Sequence, residues 1–217
     1  MVKKKTAAAT RDGETERRIL DAAKAVFIRR GTAGARMQEI AEEAGVNQAL
    51  LHYYFRSKEK LAGAVFRETA GRMFPALIQI AGSDMPVVDK IDRIIDTYLT
   101  TMSATPFLPG YVISELHHHP ERIPQLLGPI TGGDLGTFTR PAFDKLDKQL
   151  AAEARAGRMR RISVVQFFVN LLSLCVFPFA ARPMIRAAFG YDDDDFAKFI
   201  EQRRKELPQY IKNALKP

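Results

Sequence analysis

Apolar residues recur in this chain at spacings of three and four almost from end to end, and glycine and proline cut the pattern into pieces. That period matches the 3.6-residue turn of an α-helix, and no run alternates as a half-buried strand would. The sequence therefore predicts an all-α fold. In 14–30, Ile19, Ala22, Ala23, Val26 and Phe27 share one face, with Gly31 as a stop signal. A short helix is expected over 37–44, ended by Gly45, and a third runs from an Asn47 cap to Phe55. Ser57 caps a fourth, which Pro75 is expected to bend or end. Further helices are expected over 86–102, closed by Pro106, then over 109–118, 121–127, 139–156, from Ser163 onward, and 194–214.

With 217 residues, 46% of them hydrophobic, the chain can bury a sizeable core. Its net charge is +8, unevenly spread. Residues 1–72 carry 15 basic and 9 acidic groups, whereas 73–217 carry 18 and 16. A positive first third on a nearly neutral remainder suggests that one part meets a polyanion and the other has a different task. Residues 1–13, with Lys3, Lys4 and Lys5 but no apolar run, are expected to be a disordered basic tail rather than an export signal. The lone Cys175 excludes an internal disulfide and fits a reducing cytoplasm. The apolar stretch 162–181 is long enough for a bilayer, but Ser163, Gln166, Asn170 and Ser173 line one face and Pro178 interrupts its end. An amphipathic core helix is the better reading.

A short helix, a glycine turn and a second short helix form a helix-turn-helix candidate, although the same pattern also describes a plain helical corner. At ~100° per residue, Gln48, Ala49, His52, Tyr53 and Arg56 fall on one arc of the second helix. Val46, Leu50, Leu51, Tyr54 and Phe55 take the other. One flank is oily; the other offers an amide, an imidazole and a phenol suited to base edges and phosphates in a major groove. Lys58 adds a cation for phosphate.

The run from Ile40 through Val46, followed by Leu51, His52, Tyr53, Tyr54, Phe55, Arg56, Ser57, Lys58, Glu59, Lys60 and Leu61, resembles the DNA-binding region of the tetracycline-repressor (TetR) family. Ala22, Ala23, Phe27 and Gly31 resemble that family's opening helix, so the likeness covers about 15–66. It implies an N-terminal three-helix helix-turn-helix domain, assigned to 14–60, and a larger C-terminal helical domain over 61–217 that binds an effector and dimerises. The resemblance further implies groove contacts from Gln48, Ala49, Leu50 and His52, and phosphate contacts from Tyr53, Tyr54 and Lys58. The chain departs from the family pattern at His52, where tyrosine is usual, and at Leu50, where a small polar residue is common. Arg36 replaces the usual Ser or Thr cap, and it is read as an extra phosphate contact.

In the larger domain, Tyr98, Met102, Phe107, Tyr111 and Phe168 are candidates for an apolar effector cavity, with ordinary core as the other reading. By family analogy the helices over 139–156 and from Ser163 dimerise, through Phe143, Leu146, Leu150, Val165, Phe168 and Leu172. His117, His118 and His119 point ~100° apart in succession and do not chelate one ion together, so no metal and no cofactor are expected. Asp192 to Asp195 read as acids at a helix N-terminus, and Cys175 as a packed thiol. No residues form a nucleophile, base and orienter, so enzyme chemistry is not expected. These features describe a ligand-responsive repressor that binds a palindromic operator as a homodimer. The alternatives are an architectural DNA-binding dimer without effector, or a helical small-molecule-binding protein.

Overall fold

The computed structural model describes the backbone from Val2 to Pro217 and the side chains of residues 12–122 and 124–217. The chain divides into two compact units, one ending at Glu68 and the other running from Thr69 to Pro217. The boundary lies eight residues beyond the one expected at 60/61. The reason is the start of the fourth helix, where Leu61, Ala62, Val65 and Phe66 are all buried.

The first unit contains α1 (Val2–Gly34), α2 (Met37–Ala44), α3 (Gln48–Tyr54) and the start of α4 (Lys58–Gly82). Helix α1 is bounded by Val2 and Gly34, and the tail expected over 1–13 falls largely outside the residues whose side chains are described. At the other end the backbone leaves the helix at Gly31 (φ 67°), the stop expected there. Ile19, Ala23, Val26 and Phe27 of α1, Ile40 of α2 and Leu51 of α3 are buried, as the helical period requires. Ser57 Oγ accepts from Lys60 N–H at 3.3 Å and so starts α4.

The second unit continues with α5 (Val87–Ala104), α6 (Leu108–His118), α7 (Ile123–Thr131), α8 (Leu135–Arg155), α9 (Val164–Ala180), α10 (Arg182–Phe189) and α11 (Asp193–Ala214). Ile91, Ile95 and Leu99 from α5, Leu146 from α8, Cys175 from α9 and Ile200 from α11 belong to one core. Helix α4 passes through Pro75 rather than ending there; the residue is exposed, so its ring meets water and not a neighbouring helix. Its end packs so tightly on α8 that a Cβ at Gly82 would lie 3.2 Å from Ala142 Cβ. Helix α8 starts four residues before Thr139, because Asp134 Oδ1 accepts from Thr137 N–H at 2.6 Å. The Thr137 side chain first, and then this backbone N–H, hold the Asp134 carboxyl below the usual carboxylate range. Helix α10 is an addition to the elements that the sequence predicts; Pro183 in its first turn and a left-handed Gly190 after it delimit it. Asp192 and Asp195 close a capping box at the head of α11, the place expected for the acidic run.

Two cations satisfy carbonyls that the helices' own N–H groups leave open. Lys90 on α5 is fully buried and donates to Ala81 O (2.6 Å), Ser83 O (2.8 Å) and Gln149 Oε1. Burial lowers its ammonium below the ordinary lysine range. In α9, Pro178 has no N–H for the carbonyl four residues before it, Leu174 O. Arg203 on α11 fills that role, donating through Nε (3.1 Å) and Nη2 (2.8 Å). Among the described residues no single helix is long and apolar enough to cross a membrane.

Candidate nucleic-acid interface

The turn between α2 and α3 rests on Gly45, at φ 62° and ψ 37°. Its N–H donates to Glu42 O (3.1 Å) and the following Val46 N–H donates to Ala41 O (3.0 Å), the paired bonds of a Schellman ending. Arg18 from α1 donates to Ala44 O at 2.7 Å and Gly45 O at 3.3 Å, covering carbonyls that the helix leaves open. A Cβ at Gly45 would sit 3.2 Å from the Arg18 guanidinium. The turn therefore needs glycine both for its dihedral angles and for this close approach. Asn47 Oδ1 then accepts from Leu50 N–H at 2.7 Å and opens α3.

Helix α3 is split lengthwise. Leu51 and Phe55 are buried, fixing one flank to the unit's own core. Gln48, Ala49, His52 and Tyr53 are exposed, with Tyr53 at 78%, and Arg56 just beyond the helix joins them. Among the described residues none of Gln48, His52 and Arg56 makes a side-chain hydrogen bond or ion pair. The amide, imidazole and guanidinium are thus open to an outside partner.

The oily flank is less complete than its period predicts. Leu50 is 36% exposed and Val46 and Tyr54 are half-buried, because α3 is only seven residues long and its first turn stands clear of the core. Tyr54 OH donates to Asp12 Oδ1 at 3.0 Å, and its ring meets Tyr53 edge to face at 5.4 Å. Partial burial first, then the Asp12 carboxylate, raises the Tyr54 phenol above its ordinary range. Lys58, assigned to phosphate by sequence, donates to Ala33 O (2.8 Å) and Ala35 O (3.1 Å). Two of its three N–H groups close the end of α1, leaving one for an anion. Arg36 stands before α2 without capping it and is exposed. The tasks of Arg18 and Lys58 on backbone carbonyls escape sequence reasoning, because a cation facing a carbonyl 23 to 27 residues away leaves no pattern.

In the second unit, the candidate residues divide. Leu146 and Leu150 are 1% and 2% exposed and belong to their own core, so they offer nothing to a partner, contrary to expectation. The apolar period of α8 does not tell a core stripe from an interface stripe. Phe143 and Phe168 meet each other, ring centroids 5.1 Å apart, and are half-buried, as is Leu172. Val165 is exposed, and Val169 and Phe177, absent from the sequence candidates, extend its stripe along α9. Of the cavity candidates, Tyr98, Met102 and Tyr111 are buried and Phe107 is half-buried. Grooves beside α9, such as those formed by Leu150, Arg155 and Ile162 or by Phe167, Asn170 and Tyr210, include none of the five. Burial pushes the Cys175 thiol up to about 12, which makes it a packing group and not a nucleophile.

Residues 19–65 match the model of the tetR family of bacterial regulatory proteins, a span that holds all eight candidate contact residues. The chain is 34% identical over 119 residues to the HTH-type transcriptional repressor SCO4008 of Streptomyces coelicolor, covering 52% of this chain but only 60% of that one. It is 29% identical over 177 residues to the HTH-type transcriptional repressor Rv3405c of Mycobacterium tuberculosis, covering 81% and 77% of the two chains. In fold it is similar to HlyIIR, a hemolysin II transcriptional regulator, at a TM-score of 0.58 and 24% identity, over 94% of this chain and 98% of that one.

Proposed function

We propose that the chain, whose residues 19–65 match the model of the tetR family of bacterial regulatory proteins, is a ligand-responsive repressor of that family, binding a palindromic operator as a homodimer. The observation that carries the proposal is the α3 flank of Gln48, Ala49, His52 and Tyr53, which is exposed while the opposite flank is held by Leu51 and Phe55. Gln48 can pair with base edges through both its amide donor and its acceptor, while Ala49 lets the helix approach closely. Tyr53, Arg36 and Arg56 grip phosphate. Leu50 adds an apolar contact of the kind a thymine methyl accepts. Lys58 contributes through its one uncommitted N–H, and Tyr54 supports the site from behind through Asp12.

Two such helices enter successive major grooves when they stand ~34–36 Å apart. The surface that supports pairing is the stripe of Val165 (64% exposed), Val169 and Phe177 on α9, flanked by Phe143, Phe168 and Leu172. An apolar stripe of this kind facing water calls for a cover, and a second copy provides it symmetrically. Repression is supported by the names of the two relatives, both repressors. Release we assign to a small apolar effector in the second unit, where Tyr98, Met102, Phe107, Tyr111 and Phe168 supply aromatic and thioether surface. Such a molecule shifts the dimer population by its differential affinity for the two spacings, and by no more. A cytoplasmic site of action accords with the lone, buried Cys175.

The test begins with selection of bound fragments from genomic DNA, followed by titration of the selected site and of random duplex. Gln48→Ala should cost ~1–3 kcal/mol on the selected site while leaving random duplex unchanged. An unchanged ratio of the two affinities would remove Gln48 from base recognition. Wild-type affinity within a few fold for every duplex would overturn the repressor reading.

A further inference from the structure

We propose that the groove between the end of α8 and the head of α9 binds a small organic carboxylate, a molecule with one anionic head and an apolar body. The site goes beyond the proposed function, since it needs neither DNA nor a second copy of the chain. It also uses none of the five residues assigned to the apolar effector.

Positive charge is concentrated at this point and is only half spent. Four arginines stand within the seven residues 155–161. Arg158 holds Glu153 in a bidentate pair at 2.7 and 2.8 Å, and Arg160 donates to Ala214 O at 2.6 Å. The other two remain open. Arg155 commits only its Nε, to Ala151 O at 3.2 Å, and Arg161 makes no side-chain hydrogen bond or ion pair among the described residues. Both are exposed, and among the described residues neither is paired with a carboxylate.

These two arginines line one groove of about 630 Å³, whose apolar surface comes from Leu150, Ala151, Ala154 and Ile162. That volume lies in the range of sites that enclose small organic molecules. Asp147 is the one acid of the lining, and its Oδ1 accepts from Val164 N–H at 3.3 Å. Ser163 Oγ accepts from Gln166 N–H at 3.3 Å. The first turn of α9 thus has acceptors of its own, and the charge offered to a ligand is that of the arginines.

The wall that carries Arg161 is fixed before any ligand arrives. Just ahead of it, Met159 is buried in the core of the second unit, and Arg160 N–H donates to Leu215 O at 2.8 Å. Just after it, α9 begins. A guanidinium presents its donors in a planar fork that matches the two oxygens of a carboxylate. An inorganic anion would leave the apolar surface of the groove unused, and a neutral apolar molecule would leave both forks unused. A carboxylate on an apolar body answers both halves of the lining.

The experiment is calorimetric titration of the full chain, without DNA, with octanoate, with its uncharged counterpart octanamide and with acetate. Octanoate should bind at one molecule per chain and at least about tenfold more tightly than either comparator, because only octanoate combines charge-assisted hydrogen bonds with apolar burial. In the double variant Arg155→Gln, Arg161→Gln, octanoate should weaken at least about tenfold, to the level of octanamide. Arg158→Gln, whose guanidinium is committed to Glu153 outside the lining, should bind octanoate as wild type does. Equal affinities for octanoate and octanamide would overturn the assignment, as would no heat at millimolar octanoate. A double variant that binds like wild type would place the ligand elsewhere and overturn it too. None of these results touches the DNA titrations, so a chain that binds octanoate here but no duplex would sink the proposed function alone.

Discussion

The outer flank of α3 and the interior of the second unit use their polar side chains in opposite ways. In the first, Gln48, His52 and Arg56 stand without an internal partner among the described residues, on a surface of a few turns. In the second, the long-range polar contacts close on the chain's own backbone: Lys90 closes the end of α4, Arg203 replaces the N–H that Pro178 lacks, and Arg160 donates to Ala214 O at 2.6 Å. Ion pairs of Arg204 with Asp96 (2.7 Å) and Lys212 with Asp92 (2.6 Å) fasten α11 to α5. Polar groups left open are the mark of a surface with an outside partner; polar groups consumed by the backbone are the mark of a scaffold. The contrast separates recognition from architecture within one chain.

The largest effect bearing on this contrast is expected at Lys90. Lys90→Met keeps the volume but leaves Ala81 O, Ser83 O and Gln149 Oε1 without their donor. At ~1–3 kcal/mol for a buried acceptor left unsatisfied, and less for the partly buried Ser83 O and Gln149 Oε1, urea denaturation should show a loss of at least about 2 kcal/mol. The ratio of operator to random-duplex affinity should stay unchanged in the folded variant, because no group on α3 is altered. A loss below about 1 kcal/mol would mean that water replaces the ammonium, and the inward assignment of Lys90 would fall.

A smaller effect is expected at the α9 proline. Arg203→Ala should cost about 1–2 kcal/mol in the wild-type background and clearly less after Pro178→Ala, whose new N–H can serve Leu174 O. The double-mutant cycle reads that difference directly. Equal costs in both backgrounds would show that Arg203 stabilises α9 for some reason other than the missing donor.

These contacts explain which parts of the molecule the sequence reveals. Helices α2 and α3 are legible because their signals are local: Gly45 must turn left-handed, Asn47 supplies the cap that opens α3, and Leu51 and Phe55 fall one turn apart. The exposed arc of Gln48, Ala49, His52 and Tyr53 follows from that period alone. Leu50 escapes it, since a seven-residue helix does not bury its first turn. In the second unit the same kind of signal marks helices but not partners. Leu146 and Leu150 have the spacing of an interface and prove to be core, while Val169 and Phe177, which the sequence does not single out, are 51% and 56% exposed. Periodicity says that a face is apolar; only the packing of α8 against α9 says what covers it. Arg18, Lys58, Lys90 and Arg203 are illegible for a related reason, since each answers a carbonyl that is distant in sequence or exposed by a helix end.

Entry of the open α3 flank into the major groove can be read by cleavage from within the complex. Ala49→Cys introduces a reactive thiol at the middle of that flank, while the native Cys175 is buried and pushed up to about 12, so a tethered iron chelate labels position 49 selectively. On a bound operator, strand cleavage should be confined to two places about 10 base pairs apart, one in each half-site. Cleavage spread evenly along the fragment, or none on a fragment that is fully bound, would show that the flank lies outside the groove.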